Sequence, residues 1–144
     1  MDVKLLEVVN GAPVVKKLAS ASGPKVGGQF VMTMKVVVGD MNDALRVYQE
    51  TLSQLQRRYA KLLPTGDPVT DENGEIEFND KPAFSREHDA LMETPVSLPH
   101  IPRKIRLSRI ADAGVALSAL ELASVDWLVS TDGITTFFED EDGQ

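Results

Sequence analysis

Cysteine is absent from the 144 residues, which removes disulfides, thiolate nucleophiles and sulfur-ligated zinc together and ties the chain to no particular redox compartment. Long apolar runs are missing too. The longest, Phe30 to Val38, is interrupted by Thr33 and Lys35 and falls far short of the roughly 20 residues that span a bilayer. Met1 to Val9 carries Asp2 and Glu7 where a signal peptide needs an unbroken apolar stretch, so neither a membrane span nor export is expected. Histidine is scarce: His88 and His100 are the only two, and neither lies four residues from another ligand in the manner of a histidine zinc site. No Gly-x-Ser-x-Gly elbow supports a nucleophilic triad. A noncatalytic protein with no metal or cofactor is the expectation.

What is present fits one folded domain. The charged fraction of 26% and hydrophobic fraction of 42% exclude a wholly disordered chain, and the length leaves room for a single core. The net charge of −7 is unevenly distributed. Residues 1–109 hold all 15 basic residues against 14 acids, whereas residues 110–144 hold eight acids and no base. Glu139, Asp140, Glu141 and Asp142 close the acidic quarter as a short run. Such a run is either a solvated terminus or a segment that docks on a basic partner or neighbouring subunit.

The strongest pattern is a heptad seam. Val31, Met34, Val38, Met41, Leu45, Tyr48, Leu52, Leu55, Tyr59 and Leu62 recur at alternating spacings of three and four, the signature of an amphipathic helix with an apolar stripe. A helix from Pro24 to Leu63 would be about 60 Å long and would need cover from elsewhere. Gly39-Asp40 and the Val36 to Val38 cluster leave open a break midway, with a strand before it.

Around this helix the pattern predicts a strand over Val3 to Val9 turning at Asn10-Gly11, and a short helix from Pro13 to Ala19. Further on it predicts a hairpin at Asn73-Gly74 between Val69 and Ile76-Phe78, and a helix from Pro82 that ends before Thr94-Pro95. Short strands follow at Val96-Leu98 and Ile105-Leu107. The Ser118/Glu121 capping box then opens a helix running through Trp127 and Leu128, and Ile134 to Phe138 is a last strand. No internal repeat is apparent. The fold class is α+β: one long amphipathic helix with shorter helices packed on a small, mainly antiparallel sheet, residues 1–130 forming the domain and 131–144 a C-terminal strand and acidic tail.

Three motifs invite chemistry. Asp71, Asn73, Gly74 and Ile76 imitate part of a calcium loop, but its first ligand position falls on Val69 and its twelfth on Asp80, so a hairpin turn explains them. Gly23-Pro24-Lys25-Val26-Gly27-Gly28 lacks the Gly-Lys-Ser/Thr ending of a P-loop and reads as a helix start. Arg103, Lys104, Arg106 and Arg109 form the one concentrated basic patch. No aromatic lies within it, so nucleic acid is not the expected partner. Edge-strand protection, or pairing with an acidic segment of the same or another subunit, explains the patch instead.

The order of these segments carries a resemblance. A long helix ending in Arg57-Arg58-Tyr59 is followed by the Asp71-Glu72-Asn73-Gly74 hairpin, a Phe84 to Glu93 helix and Thr94-Pro95-Val96-Ser97-Leu98. Ile105-Arg106-Leu107-Ser108 and Leu117-Ser118-Ala119-Leu120-Glu121-Leu122 complete the series. Over residues 3 to 130 or so this resembles a family of small uncharacterised bacteriophage proteins, and the Val31–Gly39 region and the Ile134–Gln144 segment depart from it. The resemblance implies a phage origin and an α+β layout, with no catalytic residue to carry over. The resulting expectation is a structural or assembly protein, in the virion or the host cytoplasm. It would work as a homo-oligomer or with other phage proteins through the seam residues Met34, Met41, Leu45, Tyr48, Leu52, Leu55, Tyr59 and Leu62. The alternative is an acidic inhibitor or sequestering protein aimed at a host enzyme, a defence component or a small signalling molecule.

Overall fold

The computed structural model describes residues 1–138. In chain order the elements are β1 (Asp2–Lys4), α1 (Leu5–Ala19), α2 (Gly28–Tyr59), α3 (Lys81–Met92), β2 (Pro95–Ser97), β3 (Ile105–Arg106), α4 (Leu107–Asp112), α5 (Ala119–Ser124) and β4 (Val129–Ser130). The fold is α+β, with one helix far longer than the rest and two minimal sheets. β1 pairs antiparallel with β2 in the register Val3↔Val96, and β3 pairs parallel with β4 through Ile105↔Val129.

α1 begins at Leu5, where a strand was expected to continue. The reason is the burial period: Leu5, Val8, Gly11, Val15 and Leu18 are all buried, spaced so that one helical face meets the core. Packing of that face overrides the β-branched valines and keeps Pro13 inside the helix. Glu7 accepts the Lys4 backbone N–H at 2.9 Å, satisfying a donor at the helix start. Gly11 is buried because α5 and Trp127 come close: a Cβ there would lie 3.0 Å from Trp127 Nε1 and 3.1 Å from the Ser124 carbonyl.

α2 starts at Gly28 and stops at Tyr59, shorter at both ends than the 24–63 expected. It runs without a break through Gly39. Met34, Val37, Met41 and Ala44 join the core cluster with Val8, Leu18, Leu98, Ile110, Val125 and Leu128. Each fully buried aliphatic side chain contributes on the order of 1.5–3 kcal/mol. Farther along, the helix packs on α3, which buries none of its residues completely. The contact there is aromatic. Phe78 stacks on Phe84 at a centroid separation of 4.2 Å, and Tyr48, Tyr59 and His88 complete the group.

Between α2 and α3 the chain ties a small clasp. The Lys61 N–H donates to Glu77, the Glu77 N–H to Val69 and the Val69 N–H to Lys61, at 2.8–2.9 Å, so the three backbone groups close a ring. The bridges Ala60↔Phe78, Leu62↔Pro68 and Thr70↔Ile76 surround it. Positions eight residues apart play equivalent parts, and Gly66 and Gly74 take the same positive φ, 88° and 80°, at its two turns. The expected Asn73-Gly74 hairpin is therefore one side of an eight-residue structural repeat, which the dissimilar side chains conceal.

Other boundaries differ from expectation. Leu107 opens a helix, α4, and is not a strand residue. The Ser118/Glu121 capping box forms, but α5 ends at Ser124, and Val125 to Leu128 drop into the core as a turn. Ile134 to Phe138 form no strand. The two strand pairs make separate sheets, one of them parallel, where a single mainly antiparallel sheet was expected.

Candidate anion-binding cleft

Two sequence motifs some 75 residues apart meet in space. The Gly23–Gly28 segment ends where α2 begins, and the 100–113 segment runs alongside the first turns of that helix. Between them lies a cleft of about 830 Å³. Lys25 enters from the glycine segment, and Arg103, Lys104, Arg106 and Arg109 from the other side, against a single lining carboxylate, Asp112.

Local structure explains the convergence. The Ile105 N–H donates to the Leu128 carbonyl at 2.7 Å, and the half-buried Ile105 side chain packs against the core. Alternation along the strand then leaves Lys104 and Arg106 exposed on either side of it. The switch to helix at Leu107 brings Arg109 round into the same cleft. Gly114, at φ 82°, allows the chain to turn against Lys25, whose Cβ and Cδ would lie 3.6 Å from a Cβ at that glycine. Among the described residues none of the five basic side chains joins an ion pair. An incoming anion would add opposite charge beside them.

The opposite wall is α2. Phe30, half-buried, and the apolar Val36 and Val37 line it together with the polar Gln29 and Thr33. Gly27 caps the helix without a side chain, and the first turn carries no acid. A Cβ at Gly27 would meet nothing within 4 Å, so that helix end is open to close approach.

One polar clamp fixes the wall to the 100–113 segment. Asp40, buried at 3% exposure in the core-facing register of α2, accepts the His100 backbone N–H at 2.8 Å and faces His100 Nδ1 at 2.6 Å. The contact uses Nδ1 and leaves Nε2 turned away from the pair. The ring lines the cleft and is largely exposed.

All four basic-patch residues thus share one site, which gains Lys25, Phe30, His100 and Asp40 that sequence reasoning left out. The seam residues lie elsewhere. Met34, Met41 and Leu55 are buried within the chain, and Leu45, Tyr48, Leu52 and Tyr59 are half-buried. Leu62 falls beyond the helix and is exposed. Within the same chain α1 packs on the first half of the seam and α3 on the second half, where α3 buries none of its own residues. Glu139, Asp140, Glu141 and Asp142 lie outside the described residues. No group of three or more metal-ligating side chains occurs among the described residues, and no described helix is long and apolar enough to cross a membrane.

No protein-family model, no curated protein and no solved structure matches the chain.

Proposed function

We propose that the protein is a noncatalytic binding protein whose cleft captures an anionic ligand. One observation carries this: five basic side chains, a third of the 15 in the chain, line one concave surface of a molecule whose net charge is −7. Charge placed against the overall balance, with no ion pair among the described residues, suits recognition better than solubility. This is the sequestering role, with the sign of the surface reversed: the basic cleft, and not the acidic quarter, does the binding.

The test is chromatographic. A protein of this net charge should pass a heparin column at neutral pH. Retention at low salt, lost in an Arg103→Glu/Arg106→Glu double variant that still melts like the wild type, supports the cleft. Flow-through of the wild type overturns it.

A second reading is assembly through protein contacts, as a homo-oligomer or with other phage proteins, in the virion or the host cytoplasm; its phage origin comes from the family resemblance alone. The observation favouring it is the sparse cover on the second half of α2, where Tyr48, Leu52 and Tyr59 meet an α3 that buries none of its own residues. Light scattering on the pure protein decides it, because a monomer at high concentration removes the homo-oligomer.

A further inference from the structure

We propose that the ligand class of the cleft is a nucleotide, its phosphates held by the arginine wall and its base lying against Phe30. This rests on the anion-capture reading and adds a planar, apolar group to the ligand. The volume, about 830 Å³, lies in the range of small-molecule clefts and is far more than a bare phosphate fills. Its two walls differ in kind. Arg103, Arg106 and Arg109 offer forked donors suited to phosphate oxygens. On the α2 wall lies Phe30, half-buried with part of its ring against the core, with the amide of Gln29 and the hydroxyl-bearing Thr33 along the same helix, and the imidazole of His100 is the second ring of the lining.

The start of α2 strengthens the phosphate side. The positive end of a 32-residue helix opens there beside Lys25, uncapped by any side chain and with no acid in its first turn. The absence of side chains at Gly27 and Gly28 lets a phosphate oxygen approach the backbone. An acidic peptide would use the arginines but has no call on an aromatic ring.

Isothermal titration of the full chain with ATP, pyrophosphate and a hexaglutamate peptide tests this. ATP is expected to bind more tightly than pyrophosphate. Arg106→Glu should weaken ATP by about tenfold or more, the loss of at least one charge-assisted contact. Phe30→Leu should weaken ATP while leaving pyrophosphate unchanged. If Phe30→Leu fails to fold, Phe30→Trp supplies a second readout: quenching of its indole emission by ATP and not by pyrophosphate is expected. Equal binding of ATP and pyrophosphate overturns the base contact. Binding of hexaglutamate alone overturns the nucleotide but leaves anion capture standing. Binding of none of the three overturns both.

Discussion

Gly11 and Gly39 both sit inside helices, yet a methyl group at each should act in opposite directions. At Gly39 an added Cβ meets nothing within 4 Å, so Gly39→Ala removes only the conformational freedom of glycine and should stabilise by about 0.5–1 kcal/mol. At Gly11 the same atom presses on Trp127 and the Ser124 carbonyl at 3.0–3.1 Å, and overpacking of about 1–3 kcal/mol should outweigh the helical gain. Urea denaturation of the two variants should show midpoints displaced to either side of the wild type. Glu121 makes a further prediction at this scale. The Ser118 backbone N–H, and after it the Lys17 ammonium, hold its carboxyl below the ordinary value of 4.5. The folded state therefore prefers the charged form. Its contribution is present above the unfolded value and is lost as pH falls through the lower folded one. Glu121→Gln should destabilise at neutral pH, and the gap in melting temperature should close in strong acid.

Among the elements, the junction of α2 with the 100–113 segment depends on Asp40. Asp40→Ala leaves the His100 N–H and Nδ1 without their acceptor and should cost about 2–3 kcal/mol, in line with hydrogen bonds to a charged group. Asp40→Asn keeps one oxygen for the backbone N–H and should cost less; chemical denaturation of the pair measures the difference. This junction also shows how much the sequence revealed. The long helix was legible because Met34, Met41 and Leu55 repeat at helical spacing, and the Asn73-Gly74 turn because its residues favour positive φ. Of α1 only the part from Pro13 to Ala19 was legible, since Val3, Leu5, Val8 and Val9 satisfy a strand locally and only burial of one face extends the helix back to Leu5. The four clustered cations were visible in the sequence. Their partners across the cleft were not, because Lys25 and Phe30 come from a distant segment. Asp40 did leave a trace, because an acid at a core-facing position of an apolar stripe demands a partner, yet beside Gly39 it leaves a helix break equally open on sequence alone.

For the molecule as a whole, charge and cover change meaning together. The heptad seam suggests a rod waiting for a second copy, yet α1 and α3 of the same chain pack on it, and the cleft is lined by α2 residues outside the seam, Gln29, Phe30, Thr33, Val36 and Val37. Binding and assembly can therefore be separated. The Arg103→Glu/Arg106→Glu variant should lose heparin retention while its light-scattering mass stays that of the wild type; a changed mass would place the cleft within a subunit interface. The clasp between α2 and α3 has a practical bearing on such work. Each of its three segments is bridged on both sides, so it offers no bare strand for another chain to extend. Its outward turn at Glu72-Asn73 is exposed and takes no part in the hydrogen-bonded ring. A dye or tethering peptide inserted there would give a handle at the far tip of the long helix, with the basic cleft left clear for the molecule it is meant to catch.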